Sequence, residues 1–175
     1  MKHTLLIITA LMLVVGCSKD GVDTLYDENG RKTREVTYKD GEVVRNIYYY
    51  ENGLKKYEDI RKDDFRDGLY TAWHENGQKK EEGTYKDGKE NGKQTYWYEN
   101  GQKKEEVTFK DGELGGLETW WYENGQKWLE RTYKDGEYDG LWTEWYENGQ
   151  KWCERTYKDG KEIEATYWDE DGNEL

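Results

Sequence analysis

From about residue 24 onward, polar and apolar residues alternate in short runs broken at regular intervals by glycine. Read as a strand, the stretch Leu69-Tyr70-Thr71-Ala72-Trp73 puts Leu69, Thr71 and Trp73 on one face and Tyr70 and Ala72 on the other. Self-comparison explains the interruptions. Glu-Asn-Gly recurs at 28–30, 51–53, 75–77, 99–101, 123–125 and 147–149, with Glu170-Asp171-Gly172 as a last variant. Lys-Asp-Gly recurs at 39–41, 86–88, 110–112, 134–136 and 158–160, and Lys62-Asp63-Asp64 stands in the missing place. A third glycine falls at 68, 92, 116 and 140. Three series in phase at about 24 residues define a tandem repeat.

In one unit, a strand spans about 69–75, Asn76-Gly77 turns, and a second strand spans about 78–86. Asn-Gly predicts a two-residue type I′ hairpin, with Trp73 opposite Lys80. Asp87-Gly88 opens a slightly longer connection ending at Gly92. With every connection short, neighbouring strands pair antiparallel. The prediction is an all-β, single-layer, elongated antiparallel meander of about 13 strands. One face carries the series Tyr26, Tyr49, Trp73, Trp97, Trp121, Trp145 and Trp168, with cross-strand pairs Trp121–Trp128 and Trp145–Trp152. The other carries Tyr50, His74, Tyr98, Tyr122 and Tyr146, and Tyr38, Tyr85, Phe109, Tyr133 and Tyr157. The second repeat is the weak one, because Arg61 replaces an aromatic and Asp64 a turn glycine.

The beginning of the chain is different. An apolar run from Leu5 to Val15 follows Lys2 and His3, too short to span a bilayer. It has the form of a secretory signal. It ends in Val14-Val15-Gly16-Cys17, which resembles a bacterial lipobox. That resemblance implies cleavage before Cys17 and lipidation of its sulfur and amine. The expected organisation is a lipoprotein signal peptide over 1–16, a lipidated linker over 17–23 and a repeat domain over 24–175. The expected address is the bacterial cell envelope, with the membrane engaged through the N-terminal lipid: the outer membrane in a Gram-negative cell, the outer face of the cell membrane in a Gram-positive one.

The unit Gly-x-x-x-x-Trp-Tyr-Glu-Asn-Gly-Gln-Lys-x-x-Glu-x-x-Tyr-Lys-Asp-Gly-Lys-x-x-Gly is clearest at 92–116 and 116–140. It resembles the variant MORN repeat of bacteria, over about 24–175. Proteins of that type include a group labelled YwqK-like antitoxins. The resemblance implies a non-catalytic module built for interaction or scaffolding, with no catalytic motif to carry over. Choline-binding cell-wall repeats, also aromatic hairpins of similar period, supply an analogy for ligand binding.

Composition narrows the chemistry. The formal net charge is −12, from 27 basic and 39 acidic residues, which disfavours nucleic acid as a partner. Ser18 is the only serine, and His74 is the only histidine beyond His3, so no serine–histidine triad can be built. Cys153 lies three repeats from His74 and reads as a variable strand residue. Glu82, Glu106, Glu130 and Glu154 recur with the fold and read as partners of lysine across strands, not as an acid–base pair. No Cys/His cluster has metal-ligand spacing, and Asp169–Glu174 lacks the alternation of a calcium loop. Gly88–Lys93 lacks the spacing of a phosphate loop. No catalytic residue, metal or cofactor is expected.

What remains is the surplus of aromatic rings. Trp97, Trp120, Trp121, Trp128, Trp142, Trp145 and Trp152 form the candidate contact surface. The leading expectation is a protein partner of unknown identity, in an antitoxin- or immunity-like version if the acidic surface covers a basic toxin. The alternative is a glycan or cell-wall ligand stacked on exposed rings.

Overall fold

The structure is a computed structural model that describes residues 20–175. Cys17 and the apolar run before it lie outside the described residues. Fourteen strands form one open antiparallel sheet. They are β1 (Gly21–Tyr26), β2 (Lys32–Lys39), β3 (Glu42–Tyr49), β4 (Lys55–Lys62), β5 (Phe65–Trp73), β6 (Lys79–Lys86) and β7 (Lys89–Trp97). They continue with β8 (Lys103–Lys110), β9 (Glu113–Leu114), β10 (Gly116–Trp121), β11 (Lys127–Lys134), β12 (Glu137–Trp145), β13 (Lys151–Lys158) and β14 (Lys161–Tyr167). Order in the sheet follows order in the chain, and β9 pairs only with β8. The expected count of about 13 becomes fourteen because Gly115 breaks one strand into β9 and β10. β1 begins at Gly21, inside the segment read as a linker.

The two kinds of turn exchange the roles expected of them. At Asn76-Gly77 the loop has three residues: His74 N–H donates to the Gln78 carbonyl and Gly77 N–H to the His74 carbonyl, both at 2.9 Å. Only Gly77 is left-handed, at φ +85°, which is a type I turn followed by a glycine bulge. Asn76 serves through its side chain, whose Oδ1 accepts from Gln78 N–H at 2.9 Å. The tight two-residue turn falls at Asp-Gly instead. Asp87 (φ 49°) and Gly88 (φ 79°) both take positive φ, and Lys86 pairs with Lys89. Aspartate tolerates that conformation better than most residues do.

This corrects the register. The bulge sets Trp73 opposite Lys79, not Lys80. By the same shift Trp121 faces Lys127 and Trp145 faces Lys151, so the pairs Trp121–Trp128 and Trp145–Trp152 do not form. Glu106 gains the expected lysine across strands, Lys93 at 2.6 Å, while Glu82, Glu106, Glu130 and Glu154 are all held by a lysine of their own strand. Lys103 reaches Glu106 at 2.7 Å, three positions along the same strand.

Both ends of the strands are tied from one repeat to the next. On one side Tyr50, Tyr98, Tyr122 and Tyr146 donate to the carbonyls of Trp73, Trp121, Trp145 and Trp168, at 2.7–3.0 Å. His74 Nε2 does the same to Trp97 at 2.9 Å. Asn52, Asn76, Asn100, Asn124 and Asn148 donate to the carbonyl of the glutamate, or of Glu170 in the last case, that opens the following turn. On the other side the turn glycines Gly88, Gly112, Gly136 and Gly160 donate to the preceding repeat at Arg66, Glu90, Leu114 and Tyr138. Two turns depart from the rule. Asp27 and Asp169 occupy the tyrosine position and bend back, accepting from backbone N–H groups of Asn29 and Arg31, and of Asp171 and Asn173.

The sheet has two unlike faces. One buries Val36, Asn46, Asp59, Ala72, Gln94, Val107, Glu118, Leu129, Tyr133 and Cys153, and is called here the packed face. The other carries the tryptophan series Trp73, Trp97, Trp121, Trp145 and Trp168 above buried Thr71, Thr119 and Thr143. Gly83 is fixed by packing: a Cβ there would lie 1.2 Å from Gln94 Oε1. Gln94 fills that gap and is fully buried.

Candidate functional site

Alternation along the strands divides the candidate contact surface. Trp97, Trp121 and Trp145 stand on the tryptophan face, while Trp120 and Trp142 stand on the packed face. Trp128 and Trp152 are the extra residues of the hairpin bulges and turn toward the packed face, where Trp128 meets Trp120 edge-on at 5.7 Å and Arg155 lies 5.9 Å from the Trp152 ring. The seven residues therefore form no single patch.

On the tryptophan face each ring is covered from within. Lys79 Nζ sits 5.6 Å from the Trp97 ring centre, Lys103 5.4 Å from Trp121, Lys127 5.5 Å from Trp145 and Lys151 5.6 Å from Trp168. Lys55 repeats this over Trp73 at 5.3 Å. Glu58, Glu82, Glu106, Glu130 and Glu154 hold these ammonium groups. An ammonium over a ring face takes the position that a choline-like ligand would need.

On the packed face, arginines do similar work. Arg131 lies over Tyr133, Tyr138 and Trp142, and pairs with Glu118. That ion pair, with the Trp120 indole N–H, holds the Glu118 carboxyl below the usual range despite its burial. Arg66 covers Tyr70 at 4.3 Å, and Arg34 covers Tyr48 at 4.9 Å.

The middle of this face lacks such cover. Tyr96 stands between Glu81 and Glu105 on the neighbouring strands. Neither carboxylate has an ion pair or side-chain hydrogen bond among the described residues. Burial, reinforced by Glu118 and Glu90, pushes the Glu105 carboxyl up to about 7. Burial and Glu90 raise Glu81 as well. Beside Tyr96 a cavity of about 530 Å³ opens between successive hairpin turns, lined by His74, Lys80, Tyr98, Lys104 and Glu105. Its volume lies within the range of ligand sites. A related hollow between Tyr50, Lys56 and Glu75 recurs two repeats earlier.

Sequence reasoning passed over this groove. Its signal was present in one column of the repeat, where Lys80 and Lys104 give way to Trp128 and Trp152. In the next repeat Trp128 lies 5.7 Å from Trp120 and 6.4 Å from Tyr122, the equivalents of Tyr96 and Tyr98.

The two residues weighed for nucleophilic chemistry are kept apart. His74 joins β5 to β6 and is tied to the Trp97 carbonyl, while Cys153 lies fully buried on β13. Burial and the Glu144 carboxylate push the Cys153 thiol up to about 11, far from a thiolate. Among the described residues no three His, Cys, Asp or Glu side chains gather as a metal site.

A sheet of tandem hairpins, tied from one repeat to the next and lined with aromatic rings, defines a repeat-built binding or scaffold module. The chain belongs to the MORN repeat variant family, whose model matches in four tandem copies at residues 66–87, 90–111, 114–135 and 138–159. Each copy runs from a strand just after one aspartate turn to the aspartate of the next. The β3–β4 hairpin, which precedes residue 66, makes the same bond from Tyr50 to Trp73. No curated protein matches the chain.

Proposed function

We propose that this protein is a non-catalytic, lipid-anchored interaction module of the bacterial envelope, which holds a protein partner against the packed face of its sheet. The distribution of free aromatic surface carries this reading. Lysines cover the rings of the opposite face, while Trp128 and Trp152 remain 39% and 37% exposed on the packed face, one and two repeats beyond the Lys104 groove. Exposed tryptophans are among the usual anchors of protein interfaces. The net charge of −12 favours a partner with a basic surface, the property expected of an immunity- or antitoxin-like protein that masks a basic toxin. The test is affinity capture from envelope extract with wild type, Trp128→Ala/Trp152→Ala and Trp121→Ala/Trp145→Ala. One dominant protein, lost only with the first double variant, is the expected result. Recovery of cell-wall glycan alone would replace this reading with a glycan-binding one.

A further inference from the structure

The groove beside Tyr96 is open in one repeat and filled in the next, and the filled copy shows what it takes. Moving 24 residues along the chain replaces Tyr96 by Trp120, Tyr98 by Tyr122, Lys104 by Trp128 and Glu105 by Leu129. The Trp128 ring then lies edge-on to Trp120 at 5.7 Å and tilted against Tyr122 at 6.4 Å. The same backbone thus accepts an indole when one is supplied. In the open copy Lys104 covers only Tyr98, at 5.7 Å, and about 530 Å³ is left beside it. The change from Leu129 to Glu105 is the second difference. Beside Trp128 the neighbour is the apolar Leu129, whereas beside Lys104 it is the half-buried carboxylate of Glu105, which forms no ion pair or side-chain hydrogen bond among the described residues and feels Lys104 and Arg131 only at longer range. A second carboxylate, Glu81, flanks Tyr96 from the other side. Elsewhere on this face, arginine stacked on an aromatic ring meets a carboxylate, as Arg131 does between Trp142 and Glu118.

We infer that the groove between His74 and Lys104 is a docking site for an aromatic side chain followed by a basic one, presented by an extended segment of a partner protein. The ring takes the place that Trp128 takes one repeat later. The cation meets Glu105 and Glu81, as Arg131 meets Glu118. This rests on the interaction-module reading and specifies the chemistry of its partner.

The test uses the full chain and two capped tetrapeptides, Gly-Trp-Lys-Gly and Gly-Trp-Glu-Gly, followed by chemical-shift changes. The lysine peptide should give saturable shifts at His74, Tyr96 and Tyr98, and the glutamate peptide should bind at least about tenfold more weakly, the scale of one lost charge pair. Lys104→Trp should fill the groove and abolish both signals, with a melting temperature no lower than wild type as the control for folding. Trp128→Lys should create a second set of shifts at Trp120 and Tyr122. Glu105→Gln should bring the two peptides closer in affinity. Absence of saturable shifts, shifts that survive Lys104→Trp, or equal affinity for the two peptides would overturn the assignment. Peptide binding without any captured protein would leave the groove standing and remove the interaction-module reading. Capture that is indifferent to Lys104→Trp would do the reverse.

Discussion

The Tyr98 hydroxyl donates to the carbonyl of Trp121, 23 residues further on, at 2.7 Å. The same bond runs from Tyr122 to Trp145 at 2.8 Å. These bonds join successive hairpins at their turns, outside the ladder between strands. Tyr98→Phe and Tyr122→Phe remove the bond and keep the ring. Each should destabilise the sheet by about 1 kcal/mol, the net worth of a typical intramolecular hydrogen bond. Amide exchange should speed up chiefly in the two hairpins that the lost bond joins, since contacts in such an array are between neighbours. A uniform change along the sheet would contradict this.

Glu105 gives the fold a pH dependence of a definite sign. Its carboxyl titrates at about 7 in the folded chain against an ordinary value of 4.5. Between those values the folded chain keeps a proton that the unfolded chain has released. This contribution is present at low pH and lost as pH rises through 7. Glu105→Gln should therefore be more stable than wild type at pH 8, by roughly 1–2 kcal/mol once solvent access is allowed for, with the difference vanishing near pH 4. Denaturant midpoints of the two proteins at pH 4, 6 and 8 would measure it.

The second repeat should be the least protected. Asp63 and Asp64 both take positive φ, at 48° and 66°, where the other turns of this kind place glycine second. An L-residue there costs about 1–2 kcal/mol, less for aspartate than for most. Asp64→Gly should recover about 1 kcal/mol. Hydrogen exchange over 57–68 should be faster than over 90–160 in wild type and slow down in the variant. Equal protection in the two segments of the wild type would refute the idea.

The lysine covers on the tryptophan face make a further prediction. Choline at millimolar concentration should not quench the wild-type fluorescence, because Lys103 and Lys127 already hold the ring faces of Trp121 and Trp145. Lys103→Ala/Lys127→Ala uncovers both rings and should give a saturable response. Strong quenching of the wild type would show that the lysines yield easily.

Cys17 is testable in cells. Cys17→Ala should move the protein from the membrane fraction to the soluble one and abolish incorporation of an alkyne-labelled fatty acid, since several acyl chains are what would make anchoring stable. Retention in the membrane without label would place the anchor elsewhere.

Much of the fold was legible because the repeat enforces it. Phase placed the strands and the short connections gave their antiparallel order, but the candidate contact surface still joined Trp120 to Trp121, which strand alternation sets on opposite faces. The turns were harder. Asn-Gly and Asp-Gly both allow a tight hairpin, and the choice depended on Asn76 using its side chain to accept from Gln78 while Asp87 used its backbone. One misplaced residue at each bulge then carried Lys79 to the tryptophan face and Trp128 to the other. The groove stayed hidden for a related reason. Lys104 and Glu105 read as ordinary charged strand residues until the structure put them beside Tyr96 and set Trp128 in the equivalent place.

Asp27 and Asp169 give the array its punctuation. Every tyrosine or histidine in that column reaches onward to a following hairpin, and the aspartates turn back upon their own loops. Nothing between them depends on how many units there are. A copied 24-residue unit placed before Asp169 would find its donors and acceptors waiting on both sides. It would lengthen the sheet by two strand widths, about 10 Å. Copy number is then a ruler. It sets how far any surface on the last hairpins stands from the N-terminal end, in steps that evolution or an engineer can take without designing a new core.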